Sequence, residues 1–194
     1  MKARLATVLA VAAPLIFLGC GKDDGPIKPP TPQPIVYPDQ STPKNTVLRM
    51  SMAVANRDSV VTASVYADDY EGSSNDLDGP IPEAFTFTKA DEIRVIGAMA
   101  LSNSIVSVDM DLGHPATWFQ HHFVSDPPDW VTIEVPGYRI YVNDVDLGEF
   151  GMQSPSAGET RIFEFRLRPT TPDSTSPTDT TWTIVRWTEI RNLN

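Results

Sequence analysis

Three histidines, His114, His121 and His122, fall in the segment GHPATWFQHHF, close to Asp109 and Asp111. Histidines beside carboxylates carry the donor chemistry of a zinc site. The spacing works against one, because adjacent histidines point to opposite sides of a strand and lie about 100° apart on a helix. They are expected to be exposed or hydrogen-bonded loop histidines, with His122 kept as a ligand contact and no metal assigned. Trp118 and Phe119 between them are expected to cover the open end of the core. The acidic sets Asp76-Leu77-Asp78-Gly79, Asp109-Met110-Asp111-Leu112-Gly113 and Asp144-Val145-Asp146-Leu147-Gly148 each hold part of a calcium loop. None has a third oxygen ligand followed by a spaced glutamate, so they read as solvated turn carboxylates. No Gly-x-Ser-x-Gly elbow occurs, nothing calls for a cofactor, and the chain has a single thiol, Cys20.

That thiol stands between an apolar run and a polar one. Residues 1–19 have the zones of an export signal: basic Lys2 and Arg4, an apolar run from Leu5 to Leu18, and small residues at the end. The run is short of the roughly 20 apolar residues a membrane span needs, and Pro14 interrupts it. Leu18-Gly19-Cys20 resembles the lipobox of bacterial lipoproteins. The resemblance implies a diacylglycerol thioether on Cys20, cleavage before it and acylation of the new amino terminus. Two or more chains make anchoring stable where one is marginal. The expected partner of residue 20 is therefore the lipid bilayer, and the expected place is the cell envelope. Gly21 after the cysteine points to the outer membrane. An ordinary signal peptide with a chance cysteine is the competing reading.

The chain carries a formal charge of −10. Loss of residues 1–19 removes two basic residues and no acidic one, which makes it more negative still. Such a charge argues against nucleic acid and against electrostatic adhesion to anionic lipid. From Gly21 to Pro43 prolines recur at 26, 29, 30, 32, 34, 38 and 43, which favours extended polyproline II and a semi-rigid spacer. A PxxP ligand role for Pro29 to Pro34 is the alternative. The expected organisation is a signal at 1–19, a tether at 20–41 that folding does not need, and one domain at 42–194.

Within that domain Thr42-Pro43 is a helix start, and Val47, Met50 and Val54 share a face. Asp58 caps a second short helix through about Tyr66, after which ADDYEGSSNDLDGP reads as a loop. Phe85 to Phe87 reads as a brief strand. Thr88 to Asp91 is a near capping box for a helix reaching about Leu101. Val106 to Leu112, Val131 to Val135, Tyr138 to Val142 and Phe163 to Leu167 alternate as strands, and TWTIVRWTEIR is the last one. Val135-Pro136-Gly137-Tyr138 is expected to join two of them as partners. Thr170 to Thr181 reads as a long polar hairpin loop. Strict alternation puts Trp182, Ile184 and Arg186 on one face of the last strand and Val185 and Trp187 on the other. Helices first and strands last predict an α+β fold, with helices packed on a curved antiparallel sheet. An all-β sandwich is disfavoured by the helices.

This order, together with the segments NRDSVVTASVYADDYEG and WTIVRWTEI, resembles the nuclear-transport-factor-2-like or cystatin-like cone. The resemblance covers about Thr42 to Leu193. It implies a cone interior reached by Tyr70, Trp118, His122 and Trp187. For the enzymes of that superfamily it implies an Asp or His in an apolar cavity, for which Asp69 is the matching candidate. No second catalytic position matches. The expected function is an anchored module that binds a small molecule or an envelope protein without catalysis; the alternative is a small lyase or isomerase. For the anchor itself, Cys20→Ser is expected to leave an unprocessed or soluble precursor that no longer partitions into detergent. Normal processing and membrane fractionation of that variant would refute the lipobox reading.

Overall fold

The computed structural model describes residues 34–76, 83–155, 159–170 and 180–193. The expected export signal at 1–19, Cys20, most of the expected tether, Asp78 and residues 171–179 lie outside the described residues. Among the described residues no helix is long and apolar enough to cross a membrane.

Local signals set the helices. Helix α1 (Pro43–Ala55) starts where Thr42 accepts the Asn45 amide and Pro43 fills the first turn. Arg57, at φ +56, turns the chain into α2 (Ser59–Val65), whose first amides, those of Val60 and Val61, donate to the Asp58 carboxylate. Arg57 Nη1 also donates to Ile105 O at 2.7 Å, holding the corner to the strand that follows α3. Helix α3 (Lys89–Leu101) opens on a full capping box of Thr88 and Asp91.

The segment expected to be a loop after α2 is a strand. β1 (Tyr66–Asp76) pairs antiparallel with β2 (Glu83–Thr88) and parallel with the terminal strand, β9 (Thr181–Leu193). Its small polar residues disguise it, because they are satisfied across the sheet: Ser73 Oγ donates to Thr188 Oγ1 at 3.2 Å and Ser74 Oγ to Glu189 Oε2 at 2.5 Å. The remaining strands are β3 (Ile105–Asp111), β4 (Phe119–His121), β5 (Val131–Val135), β6 (Tyr138–Asp144), β7 (Gly148–Ser154) and β8 (Glu159–Thr170). They form a six-stranded sheet in the order β2-β1-β9-β8-β5-β4 and a three-stranded sheet β3-β6-β7. The fold is thus α+β, three helices on a mixed, largely antiparallel sheet. The expected β5–β6 partnership does not form: at Pro136-Gly137 the chain leaves one sheet for the other, so β5 pairs with β8 and β4 while β6 pairs with β3 and β7.

One core joins these layers. Val47 and Met50 of α1, Val65, Tyr66, Ile133, Phe163, Phe165, Leu167 and Ile184 are almost wholly buried together, with Met110, Leu112 and Trp118 closing one side.

The compact unit runs Val36–Asn194, so it takes in residues assigned to the tether. Tyr37 donates its hydroxyl to Asp58 Oδ2 at 3.0 Å and lies under the Arg49 guanidinium, which donates to Pro38 O at 2.8 Å. Gln40 makes a two-way clamp with Trp182 at the start of β9: its side-chain Nε2 donates to Trp182 O and its backbone carbonyl accepts from the Trp182 backbone N–H, both at 2.9 Å. At about 0.5–1.5 kcal/mol per bond, loss of this strap costs about 2 kcal/mol or more. A chain beginning at Ser41 is expected to melt about 4–8 °C below one beginning at Pro34. Coincident melts in differential scanning calorimetry would show that the strap contributes nothing.

Candidate functional site

The site grows from an irregularity in the central pair of strands. Phe165 faces Trp187, Arg166 faces Arg186, but Leu167 faces Ile184, so Val185 is an extra residue in β9. This bulge overrides the strict alternation expected of the strand: Ile184 and Trp187 end up on the same, inner face. Two residues further on, Glu189 opposes Phe163 on that face. In one row across the sheet, Gly72 of β1 lies between Phe87 of β2 and Trp187 of β9.

The aromatic rings gather around Trp187. Phe165 stacks on it at 5.7 Å, while Phe163 at 5.1 Å and Phe87 at 5.7 Å meet it edge-on. Phe87, Phe163 and Trp187, with Ile140 of β6 and Met152 of β7, wall a cavity of about 210 Å³, completed by Ser73, Ser74 and Glu189. Glu189 is 4% exposed. Its Oε1 accepts from Tyr138 Oη at 2.7 Å and Arg161 Nη1 at 2.9 Å, and its Oε2 accepts from Ser74 Oγ. Burial, then the bond to Glu189, pushes the Tyr138 phenol up, so it remains a donor. Its ring stacks on Phe163 at 3.6 Å. The result is an apolar pocket whose floor carries a paired carboxylate. The Trp187 indole N–H is buried and has no acceptor among the described residues.

A larger hollow of about 770 Å³, around Asp111, His114, Arg139 and Gln153, is a broad open groove. It leaves a small ligand in contact with water, so it desolvates a ligand less than the narrower apolar pocket does.

A second buried cluster lies on α3 and β1. Tyr70 donates to Glu92 Oε1 at 3.1 Å, and the Tyr66 ring lies 4.1 Å from that of Tyr70. Burial raises the Glu92 carboxyl to about 7, opposed by the Tyr70 hydrogen bond and aided by Asp91. Burial also raises both tyrosines. Glu92 is not among the residues lining the apolar pocket.

The structure separates the residues expected to share a cone interior. Trp187 lines the pocket. Tyr70 lies against Glu92. Trp118 is 3% exposed and spends its indole N–H on Leu112 O at 2.7 Å, a core role. His122 is exposed, with Nδ1 3.0 Å from Trp130 O. Asp69, expected as a buried carboxylate, is exposed and held by both Arg168 nitrogens at 2.8 Å. The carboxylate with a raised pKa is Glu92 instead, half-buried on α3. Of the other histidines, His121 Nε2 lies 2.9 Å from Glu134 Oε1 and His114 Nδ1 accepts from the Ala116 amide. Among the described residues no group of three or more His, Cys, Asp or Glu side chains is arranged to hold a metal ion. Asp144 accepts from the Asp146 and Leu147 amides and from Ser104, the geometry of a turn carboxylate.

Sequence reasoning missed Glu92 and Glu189, and each had a signal. Glu92 stands four residues before Ile96, on the buried stripe of α3. Glu189 stands two residues beyond Trp187, on the same strand face.

No protein-family model and no curated protein matches the chain. Solved structures do. The beta subunit of a proposed aromatic-ring-hydroxylating dioxygenase from Novosphingobium aromaticivorans is 12% identical, with 80% of this chain and 90% of that one covered and a TM-score of 0.49. An NTF2-like protein with a cystatin-like fold from the same species is 12% identical over 75% of this chain and 77% of that one, with a TM-score of 0.45. A ketosteroid isomerase-like protein from Erwinia carotovora atroseptica is 16% identical over 77% and 92%, with a TM-score of 0.40. The site described above rests on the geometry of this chain alone.

The raised carboxyl of Glu92 has a thermodynamic signature. Its folded pKa of about 7 exceeds the ordinary 4.5, so between those values the folded state holds a proton that the unfolded state has lost. The stabilisation is fully present below about pH 4.5 and lost by about pH 7, on the order of 3 kcal/mol. Glu92→Gln, which still accepts from Tyr70, should flatten the fall in melting temperature between pH 5 and pH 8 and melt above the parent at pH 8. Parallel pH profiles for the two proteins would contradict the assignment.

Proposed function

We propose that the chain is a lipid-anchored protein of the bacterial cell envelope whose one domain binds a small molecule in the pocket beside Trp187. The anchor and the outer-membrane location are supported by Leu18-Gly19-Cys20 and Gly21. The single observation that carries the binding role is the apolar, partly open cavity of about 210 Å³ between the two sheets, lined on its polar side by Glu189. Binding is favoured over catalysis there because the Glu189 carboxylate already accepts three hydrogen bonds from protein donors, which leaves it poorly disposed to take a proton from a substrate.

A second reading, a small lyase or isomerase, is favoured by Glu92, whose carboxyl at about 7 matches what a general acid or base needs near neutrality. In that reading Glu92, with Tyr70 as its hydrogen-bond donor, takes the role first assigned to Asp69.

The binding role is tested by ligand-observed NMR with a library of small fragments against the mature chain and a Met152→Trp variant, whose indole fills the pocket mouth. Fragments that bind the parent are expected to lose binding at least tenfold in the variant and to be unaffected by His122→Ala. Absence of binders, or binders indifferent to Met152→Trp, would remove the pocket from the account.

A further inference from the structure

Resting on the reading of the pocket as a binding site, we infer that it takes a neutral, single-ring ligand bearing one hydroxyl or N–H donor, and that Gly72 fixes the size of the ring by seating Phe87.

The argument begins with volume. An apolar cavity of about 150 Å³ stays dry and accepts benzene. The present one, about 210 Å³, has room for a ring with one or two further heavy atoms. Its aromatic and aliphatic walls, Phe87, Phe163, Trp187, Ile140 and Met152, offer ring faces and edges rather than charges.

Charge is excluded by what the floor has already spent. Glu189 is matched by Arg161 in an ion pair whose side chains are 5% and 14% exposed. A cationic ligand would have to compete with Arg161 for a carboxylate that it already holds at 2.9 Å, and an anionic one would leave water to face that carboxylate, so either desolvation is costly.

Besides the Trp187 N–H, which lacks an acceptor among the described residues, Glu189 keeps a polar capacity. A carboxylate offers about four acceptor sites. Glu189 uses two on Oε1, for Tyr138 and Arg161, and one on Oε2, for Ser74. The remaining Oε2 site accepts a donor, so the fitting polar group on the ligand is a hydroxyl or N–H. Phenols and anilines are the simplest neutral single rings that carry one.

Gly72 sets the wall. A Cβ built on it would lie 1.9, 2.4 and 2.7 Å from three carbons of the Phe87 ring. Its φ lies outside the left-handed region, so the backbone itself does not call for glycine. The absent side chain is what lets Phe87 lie over β1 and against Trp187. Gly72 is therefore a positioning residue, acting on the ligand through Phe87.

The probes are p-cresol, toluene, benzoate and benzyltrimethylammonium, titrated into the full mature chain by calorimetry. p-Cresol is expected to bind at least fivefold more tightly than toluene and at least tenfold more tightly than either ion, and Met152→Trp should abolish its binding. Gly72→Ala should weaken p-cresol at least fivefold. Should that variant fail to fold, Phe87→Leu, which alters the same wall without touching β1, is expected to weaken it equally. Either ion binding as well as p-cresol, yet lost in Met152→Trp, overturns the ligand class and leaves the pocket standing. Toluene within twofold of p-cresol overturns the role of the free Oε2 site. Unchanged affinity in a folded Gly72→Ala or Phe87→Leu variant overturns the role of Gly72. Binding of no probe, with no fragment binding either, overturns the site itself.

Discussion

The placement of β9 at the centre of the six-stranded sheet, with one extra residue at Val185, is the constraint on which the other elements depend. β9 has a parallel neighbour, β1, on one side and an antiparallel one, β8, on the other. Without the bulge, a period-two strand would send Ile184 and Trp187 to opposite faces. With it, Ile184 joins the core that α1 covers, and Trp187 joins the rings around the pocket. The strap at Gln40 grips the same strand at Trp182, so the residues before α1 and the last strand hold one another in place.

The inner face also carries ions, and their burial follows one rule. Glu189 and Arg161 are each too buried to stand alone. Breaking a buried pair costs about 3–5 kcal/mol, although replacing both partners with apolar groups is often neutral. The pair thus adds little net stability and much definition. Tyr138 and Ser74 reach Glu189 from β6 and β1, so a single carboxylate ties three strands besides its own, counting Arg161 on β8. On the outer face the same residue types are cheap: Arg168 with Asp69 and Lys89 with Asp68 are exposed pairs of small individual worth.

What was legible in the sequence was whatever depends on near neighbours along the chain. Thr42-Pro43, Asp58 and the Thr88–Asp91 box satisfy orphan amides within three residues, and all three helices start where those residues said they would. The α+β order followed. What depends on partners across the sheet was hidden. β1 has a loop's composition, since serines and a glycine are acceptable in a strand only if another strand supplies their hydrogen bonds and covers the glycine. Pro136-Gly137 looks like a hairpin turn locally, and only the competition between two sheets for the next strand sends the chain elsewhere. The bulge inserts one residue into a perfect alternation, which moved Trp187 to the face shared with Ile184 without altering any side chain. Asp69 was carried over from a resemblance, whereas Glu92 and Glu189 were written in the periodicity of their own helix and strand.

The pocket lies where it does because the inner face has two kinds of cover. Over Leu167 and Ile184 the cover is α1, whose Val47 and Met50 are wholly buried and leave no gap. Over Phe163 and Trp187 the cover comes from the second sheet, through Ile140 and Met152. That cover is stiffer, because β7 is bound to β6 along its whole length and Gly151 approaches so closely that a Cβ there would lie 2.0 Å from Ile140 O. Two twisted sheets joined at their ends cannot close on one another as a helix closes on a sheet. The residual space is filled in part by rings and in part by nothing, and the ring that decides how much is left, Phe87, is seated by the one residue of β1 that has no side chain.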